Sequence, residues 1–232
     1  MKTNDRTRTG EKSAPYVIRR IDSELLPDCN KHKAVWQTCP PAQIDCDNTW
    51  EMTFIPKTAV KLCYDDSYLY LLYTVRDKFV RCLTNHLNGE VWKDACVEFF
   101  FSPGMNPPGG YFNLEVNCGG TICMGYQKTP RGTSILITQE DAQKIKICHS
   151  LPPVIEQEIA HPIGWTIEIG LPFNILDHYA NVKPPHSGVA WKANFYKCAE
   201  NNSHPHWLSW KQIDSPTPDF HLPEFFGEVK FE

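Results

Sequence analysis

Two apolar segments that flank a proline- and glycine-rich break constrain the fold of this 232-residue chain more than any other feature. The second segment, residues 111–118, alternates strictly between two kinds of side chain, which is the period of a half-buried β-strand. One face carries phenylalanine, leucine, valine and cysteine, and the other carries tyrosine, glutamate and two asparagines. The first segment, residues 96–101, is apolar except for Glu98. We therefore predict two strands that bury one face and present amides and carboxylates on the other.

The polar face of these strands has a composition that suits a sugar. Sugar hydroxyls donate and accept hydrogen bonds, so they match Asn113, Glu115 and Asn117 held at fixed positions. Trp92 lies just before the first strand, where its indole can pack on the apolar C–H face of a pyranose ring. A lone carboxylate such as Glu98 among apolar neighbours must be paired, hydrogen-bonded or kept for a ligand. The structural alternative is that Glu98 and Glu115 form ion pairs with basic residues on neighbouring strands.

Short strands recur through the rest of the chain at a spacing of about 8–12 residues, with proline and glycine between them. We predict a hairpin over residues 58–75, turned by the polar run 65–67, and a second hairpin over residues 155–169. Residues 173–179 are predicted to form a short helix. The pattern predicts an all-β fold: a two-sheet antiparallel β-sandwich, jelly-roll-like, with one short helix.

The overall organisation expected from the sequence is one domain over residues 15–232 after a flexible N-terminal segment over residues 1–14. The formal net charge is −4 and the basic residues are dispersed, so nucleic acid is not an expected partner. No apolar stretch reaches the length of about 18 residues that a membrane span needs, so we expect no membrane partner either. We expect the protein to be a monomer.

The ten cysteines bear on the redox compartment. None of them forms a CxxC pair, which argues against a zinc ribbon. Several, such as Cys63, Cys96 and Cys118, lie in apolar strands and are typical of small buried hydrophobes. We therefore expect mostly free thiols and a cytoplasmic protein. The N-terminus has no apolar core of a signal peptide, although a chain from which such a peptide had been removed would be periplasmic or extracellular.

Seven segments, in this order, resemble the carbohydrate-binding module family 9-like group: residues 68–70, 92–100, 111–117, 165–173, 191–197, 204–210 and 223–228. The resemblance covers most of the chain after about residue 55. It implies a β-sandwich of two antiparallel sheets, related to the cytochrome and DOMON-type sandwiches. It also implies a sugar slot between two tryptophans, with glucose-, xylose- or cellobiose-type ring ends as ligands, and it admits structural calcium ions.

The resemblance assigns roles to particular residues. Trp92 matches one stacking tryptophan, and Glu98 matches the carboxylate that binds sugar hydroxyls. The second tryptophan is either Trp207 or Trp210, and the sequence does not choose between them.

The floor of the slot is the remaining part of that assignment. Asn117 and Glu115 match the polar floor, and where characterised members have an arginine nearby this chain has Glu115 or Asn113. The predicted function is thus non-catalytic binding of a mono- or oligosaccharide, with no metal ligand assigned.

Two other functions remain open from the sequence. A haem-binding redox domain of related fold would need axial ligands, which Met105 or Met124 with one of nine histidines could supply. A glycosidase would need two carboxylates about 5–10 Å apart, and Glu98 and Glu115 on adjacent strands allow that spacing. Among other polar residues, Glu168 is predicted to be exposed, because it alternates with apolar neighbours.

Calcium of the kind that the resemblance admits would be structural and remote from the sugar slot, held by carboxylates and backbone carbonyls. Chelation is then expected to lower the melting temperature and to leave sugar affinity nearly unchanged while the fold is intact. Thermal melts and calorimetry with and without chelator measure both quantities. Identical melting curves would remove calcium from the account.

Overall fold

The computed structural model describes residues 14–48, 50–104 and 110–232, and most of this part is β-structure. The predicted flexible segment therefore lies outside the described residues up to position 13. The strands, in chain order, are β1 (Tyr16–Arg20), β2 (Ala42–Ile44), β3 (Cys46–Asp47), β4 (Lys57–Tyr64), β5 (Tyr68–Asp77), β6 (Val80–Cys82), β7 (Cys96–Ser102), β8 (Tyr111–Asn117), β9 (Ile122–Gln127), β10 (Ser134–Leu136), β11 (Lys146–His149), β12 (Ile155–Ile159), β13 (Ile163–Pro172), β14 (Ala190–Ala199), β15 (His206–Ser209) and β16 (Gly227–Phe231).

Helices are few and short. They are α1 (Ala34–Thr38), α2 (Gln139–Ala142) and α3 (Phe173–Ala180), with 3-10 turns at Val91–Lys93 and Pro223–Phe225. The predicted helix over residues 173–179 is α3, whereas α1 and α2 are too short to give a sequence period. In the described part of the chain, no helix has the length and apolar character needed to span a bilayer.

The strands form a sandwich of two sheets. The first has the order β10-β9-β8-β7-β14-β16, with β15 beside one end of β14 and β3 beside β15. The second has the order β4-β5-β13-β11, with β2 along β4. Strand β1 joins the two sheets, because Tyr16–Ile18 pair in parallel with β16 and Arg19–Arg20 pair in parallel with β4. The predicted all-β sandwich is confirmed, and these two parallel pairings are an addition to it.

The hydrophobic core lies between the sheets and is rich in aromatic rings. Phe99 stacks on Phe101 and on Phe195 with ring centroids 4.4 and 5.2 Å apart, and Phe101 stacks on Trp191 at 5.5 Å. Aromatic pairs add to the burial term by about 0.5–1.5 kcal/mol each. Phe112 and its alternate neighbours on β8 enter the same core. The predicted alternation of β8 is therefore confirmed, and its polar residues lie on the outer face of the first sheet.

The first predicted hairpin is confirmed, but the second is wrong. Strands β4 and β5 pair over their whole length, and Asp65 turns them by accepting hydrogen bonds from the backbone N–H groups of Ser67 and Tyr68. Strand β12 instead pairs with β6, while β13 pairs with β5 over ten residues and with β11. Residues 161–164 do not form a hairpin turn. Ile163 and Gly164 already pair with β5 as the first residues of β13.

The expectation for Glu168 is also wrong, since this side chain is fully buried. Its carboxylate accepts hydrogen bonds from the backbone N–H groups of Asp28 and Cys29 at 2.8 and 2.7 Å. It also accepts from the Lys33 ammonium and the Trp36 indole N–H, each at 3.0 Å. The N-terminal segment that carries these donors covers the outer face of the second sheet, so a residue that alternates away from the main core is still enclosed.

We expect Glu168→Gln to destabilise the fold. The substitution removes the charge that three neutral donors and one ammonium group share, and a hydrogen bond to a charged group contributes about 1.5–3 kcal/mol. Urea unfolding should show that the free energy of unfolding falls by at least that amount. Glu156→Gln on the exposed side of β12 is the matched control and should change stability little. Equal stability of the two variants would contradict the anchoring role of Glu168.

One disulfide is present, between Cys29 and Cys148, whose Cα atoms are 5.6 Å apart. It links the N-terminal covering segment to β11 at the edge of the second sheet. Seven further cysteines form no disulfide in this structure: Cys39, Cys63, Cys82, Cys96, Cys118, Cys123 and Cys198.

Candidate functional site

A cleft of about 440 Å³ opens on the outer face of the first sheet. Sites for small ligands commonly have volumes of this order. Its floor comes from β7, β8, β9 and β14, and its walls come from β15, from the 3-10 turn at Val91–Lys93, from β10 and the loop before it, and from the loop around residues 218–221. Five of the predicted site residues line it: Trp92, Glu98, Asn113, Glu115 and Trp207.

The strand register brings the polar residues together. Glu98 on β7 lies directly opposite Glu115 on β8, and Phe100 lies opposite Asn113. Directly opposed side chains in an antiparallel pair have Cβ atoms about 4.5–5.5 Å apart. The alternation that sends Phe99 and Phe101 into the core thus turns the two glutamates outward into one place.

A chain of hydrogen bonds fixes the amide side of the floor. Gln127 donates from Nε2 to Oδ1 of Asn113 at 3.3 Å, and Asn113 donates from Nδ2 to Oε1 of Glu115 at 2.9 Å. The second oxygen of Glu115, Oε2, is buried and has no hydrogen-bond partner among the described residues. A buried acceptor without a partner costs free energy, so this oxygen is suited to accept a hydrogen bond from a ligand.

Glu98 is held from both sides of its strand. The Cys198 thiol donates to its Oε1 at 3.0 Å, and the Tyr73 hydroxyl donates to its backbone carbonyl at 2.8 Å. Within residues 14–48, 50–104 and 110–232, no salt bridge involves Glu98 or Glu115. The ion pairs of the structural alternative are thus not made in the described part of the chain.

The electrostatics of the floor follow from burial. Glu98 and Glu115 are only 2% and 4% exposed. Burial raises the pKa of Glu115 to about 7. Burial, followed by the Cys198 thiol and the Glu115 carboxyl, raises the pKa of Glu98 well above its usual range. At neutral pH the pair therefore holds a proton, and the floor can donate as well as accept hydrogen bonds.

Two tryptophans flank this floor. Trp92 lies in the 3-10 turn between β6 and β7, and Trp207 lies on β15, where its Nε1 donates to Glu200 at 3.1 Å. Both rings are partly exposed and line the cleft. Trp210 lies elsewhere: it packs against the main core, with ring centroids 5.2 Å from Phe195 and 6.2 Å from Tyr16. Of the two tryptophans that the sequence left open, Trp207 is the one at the cleft.

Asn117 supports the cleft without lining it. Its Nδ2 donates to the carbonyl of Thr84 and to Oδ2 of Asp94 at 2.8 and 2.9 Å. Asp94 also accepts from the backbone N–H groups of Leu83 and Thr84 at 2.9 Å each. These bonds fix both ends of the loop that carries Trp92, so Asn117 is a positioning residue.

Several cleft residues were not predicted from the sequence. Gln127 lies on the outward-facing side of β9, and the alternation of residues along this strand could have identified it from the sequence. Arg131 and Asp219 form a 2.8 Å salt bridge across the mouth, and His221 makes a 2.8 Å hydrogen bond with the Tyr111 hydroxyl. These residues come from loops far apart in the chain, and no local pattern marks them.

The described residues also include side chains that the metal and haem hypotheses would use. The one group of three metal-ligating side chains there is Cys96, Glu98 and Cys198, and its two thiols do not fit calcium, which takes oxygen ligands. Of the haem ligands considered, Met124 is fully buried in the main core and Met105 lies outside the described residues. His206 is buried with its Nε2 2.7 Å from the Lys197 ammonium.

The raised pKa of Glu115 predicts the pH dependence of stability. Its pKa is 4.5 in an ordinary setting and about 7 in the fold, so between these values the folded chain binds more protons than the unfolded chain. Stability should be highest below about pH 4.5 with respect to this group, and should fall as pH rises towards 7, by up to about 3 kcal/mol. Urea unfolding across this window should show the fall in the wild type and a flatter profile in Glu115→Gln. Identical profiles would contradict the raised pKa.

Comparisons with known proteins identify the family and the fold of this chain. The family model for carbohydrate-binding family 9 matches residues 30–231. A solved structure of a candidate carbohydrate-binding protein from Bacteroides uniformis is 27% identical, has a TM-score of 0.84 and covers 93% of this chain and 98% of its own. A fungal relative from Arthroderma benhamiae, described as an extracellular protein, is 23% identical over 187 residues, which are 76% of this chain and 79% of the relative.

Two solved structures of a family 9 carbohydrate-binding module from Caldicellulosiruptor kristjanssonii share the fold. The one in complex with glucose has a TM-score of 0.61 at 14% identity and covers 94% of this chain and 96% of its own. The one in complex with cellotriose has a TM-score of 0.58 at 15% identity and covers 93% of both chains. Because the family model spans nearly the whole chain, this protein belongs to carbohydrate-binding family 9.

Proposed function

We propose that this chain is a non-catalytic carbohydrate-binding protein that holds a sugar ring or chain end in the cleft between Trp92 and Trp207. The observation that carries the proposal is the pairing of two partly exposed indoles with a floor of amides and carboxyls, in which Glu98 and Glu115 form no salt bridge among the described residues. Such a floor matches neutral hydroxyl groups better than it matches an ionic ligand. The sugar complexes of the structurally similar modules support a glucose-type ligand.

Each part of the cleft has a role in this proposal. The indoles pack on the apolar C–H faces of the ring. Oε2 of Glu115 accepts from one ring hydroxyl, and its protonated form donates to another. Asn113 orients Glu115 through their hydrogen bond, while the Arg131–Asp219 salt bridge closes one end of the cleft. Isolated sugar modules of this kind are expected to bind between micromolar and millimolar, or roughly −8 to −4 kcal/mol.

A glycosidase is the second candidate, because two carboxyls with raised pKa values face each other in the cleft. Binding is favoured over hydrolysis, since the family model that matches residues 30–231 describes carbohydrate binding. Incubation of the protein with labelled gluco- and xylo-oligosaccharides tests this. Release of a shorter product, lost in Glu98→Gln, would replace the binding proposal with catalysis.

We expect Trp92→Ala to weaken sugar binding by about ten- to a hundredfold, because stacking of an aromatic side chain on a ligand ring contributes about 1–3 kcal/mol. Trp207→Ala should have a similar effect. Trp210→Phe is the matched control: its ring packs on the core, so affinity should stay unchanged. Isothermal titration calorimetry with glucose, cellotriose and xylo-oligosaccharides measures this, and circular dichroism checks the fold.

Two outcomes of that titration would count against the proposal. Equal sugar affinity of Trp92→Ala and the wild type would place the site elsewhere. Unfolding of Trp92→Ala would mean that the ring is a core residue rather than a wall of the cleft.

A further inference from the structure

The cysteines of this protein are paired in space although they are far apart in sequence. Beyond the Cys29–Cys148 disulfide, three more couples of thiols are in contact: Cys39 with Cys63, Cys82 with Cys118, and Cys96 with Cys198. Eight of the ten cysteines therefore fall into four couples. Cysteines that served only as small hydrophobic residues would not be expected to contact one another in pairs.

The geometry is clearest for Cys96 and Cys198. They are direct partners in the antiparallel ladder between β7 and β14. Opposed residues in such a ladder have Cα atoms about 4.5–5.5 Å apart, and disulfides span about 4.4–6.8 Å between Cα atoms. Their sulfur atoms lie within 4.8 Å of each other. This backbone spacing admits a disulfide between them.

The other two couples join segments that the sheets alone do not hold together. Cys39 follows α1 and Cys63 lies on β4, and both belong to one buried cluster with Trp36. Cys82 ends β6, and its sulfur lies against the backbone beside Cys118, since a Cβ added at Gly119 would be 2.8 Å from it. In each couple the two thiols are neighbours.

We propose that Cys39–Cys63, Cys82–Cys118 and Cys96–Cys198 are three further disulfides, which together with Cys29–Cys148 make a four-disulfide framework. One bond fastens the N-terminal covering segment to the second sheet, one fastens the β6 ribbon to the end of β8, and one lies beneath the cleft. A framework of this kind belongs to an oxidising compartment, contrary to the cytoplasmic location expected from the sequence.

Each bond forms by thiol–disulfide exchange with an external disulfide, such as glutathione disulfide or a protein disulfide carrier. The thiolate of one cysteine attacks a sulfur of that disulfide, forms a mixed disulfide and releases one thiolate. The thiolate of the second cysteine then attacks the protein sulfur of the mixed disulfide and releases the other. The two protons lost by the protein thiols end on the two released thiols, so the protein is oxidised and the external disulfide is reduced by two electrons.

The bond between Cys96 and Cys198 has a consequence at the cleft, which rests on the proposed function. As a thiol, Cys198 donates to Oε1 of Glu98. A disulfide removes that donor and leaves Oε1 available to a sugar hydroxyl. Cys96→Ala keeps the thiol of Cys198, so it should bind sugar about three- to tenfold more weakly than the oxidised wild type. Cys63→Ala is the matched control, because it breaks a bond remote from the cleft and should leave affinity unchanged.

The framework itself is tested without any sugar. The full chain is refolded in oxidising glutathione buffer, then alkylated in denaturant without reduction, digested with trypsin and a glutamate-specific protease, and mapped by mass spectrometry. Cleavage after Glu98 and Glu115 separates Cys96 from Cys118, and fragmentation of the linked peptides separates Cys118 from Cys123. Cys39→Ala should leave Cys63 alkylated while the other couples stay linked.

The outcomes are distinct. Linked peptides for all three couples support the framework whether or not a sugar binds. Alkylation of all six cysteines in the oxidised, folded protein, or their linkage in other combinations, would overturn it. Loss of affinity in Cys63→Ala equal to that in Cys96→Ala would overturn the link between the Cys96–Cys198 bond and the cleft.

Discussion

The stacking of Phe99 on Phe101 and on Phe195 in the core is the interaction on which the cleft depends. These rings fix β7 against β14 and prevent a shift in register, because a slip by one residue would turn the rings outward and the polar residues into the core. Phe101 also stacks on Phe112 of β8 with ring centroids 5.2 Å apart, and the register of β7 with β8 sets Glu98 opposite Glu115 on the outer face. The position of the floor is therefore decided by apolar packing on the other side of the sheet.

The buried glutamates show how one residue type takes two roles. Glu168 is fully enclosed and its carboxylate is satisfied by two backbone N–H groups, an ammonium and an indole, so it anchors a covering segment. Glu98 and Glu115 are nearly as buried but form no salt bridge among the residues that the structure describes, and burial raises their pKa values. Burying an ionisable group without a charged partner costs free energy, and such groups are common at functional sites. The degree of burial is similar for all three glutamates, so it is their hydrogen-bonding and charged partners that distinguish the anchor from the cleft residues.

The walls of the cleft depend on hydrogen bonds and ion pairs made by residues around them. Asn117 and Asp94 hold the loop of Trp92, Glu200 orients Trp207, and the Arg131–Asp219 salt bridge joins two loops at the mouth. Rigid walls reduce the ordering cost of binding, which matters for a weak ligand such as a sugar. The disulfide proposed between Cys96 and Cys198 would add a covalent support directly under the floor.

The sequence by itself determined the strand alternation of residues 111–118, the first hairpin, the helix over 173–179 and the resemblance that pointed to sugar binding, because these depend on local periodicity and on motif order. Only the tertiary structure decided that Trp207 rather than Trp210 faces the cleft, that Glu168 is buried, and that β13 pairs with β5 instead of β12. It also brought Arg131 to Asp219 and set the cysteines in couples. Each of these depends on contacts between segments tens of residues apart, and neither the period nor the spacing of a sequence records which distant segments meet.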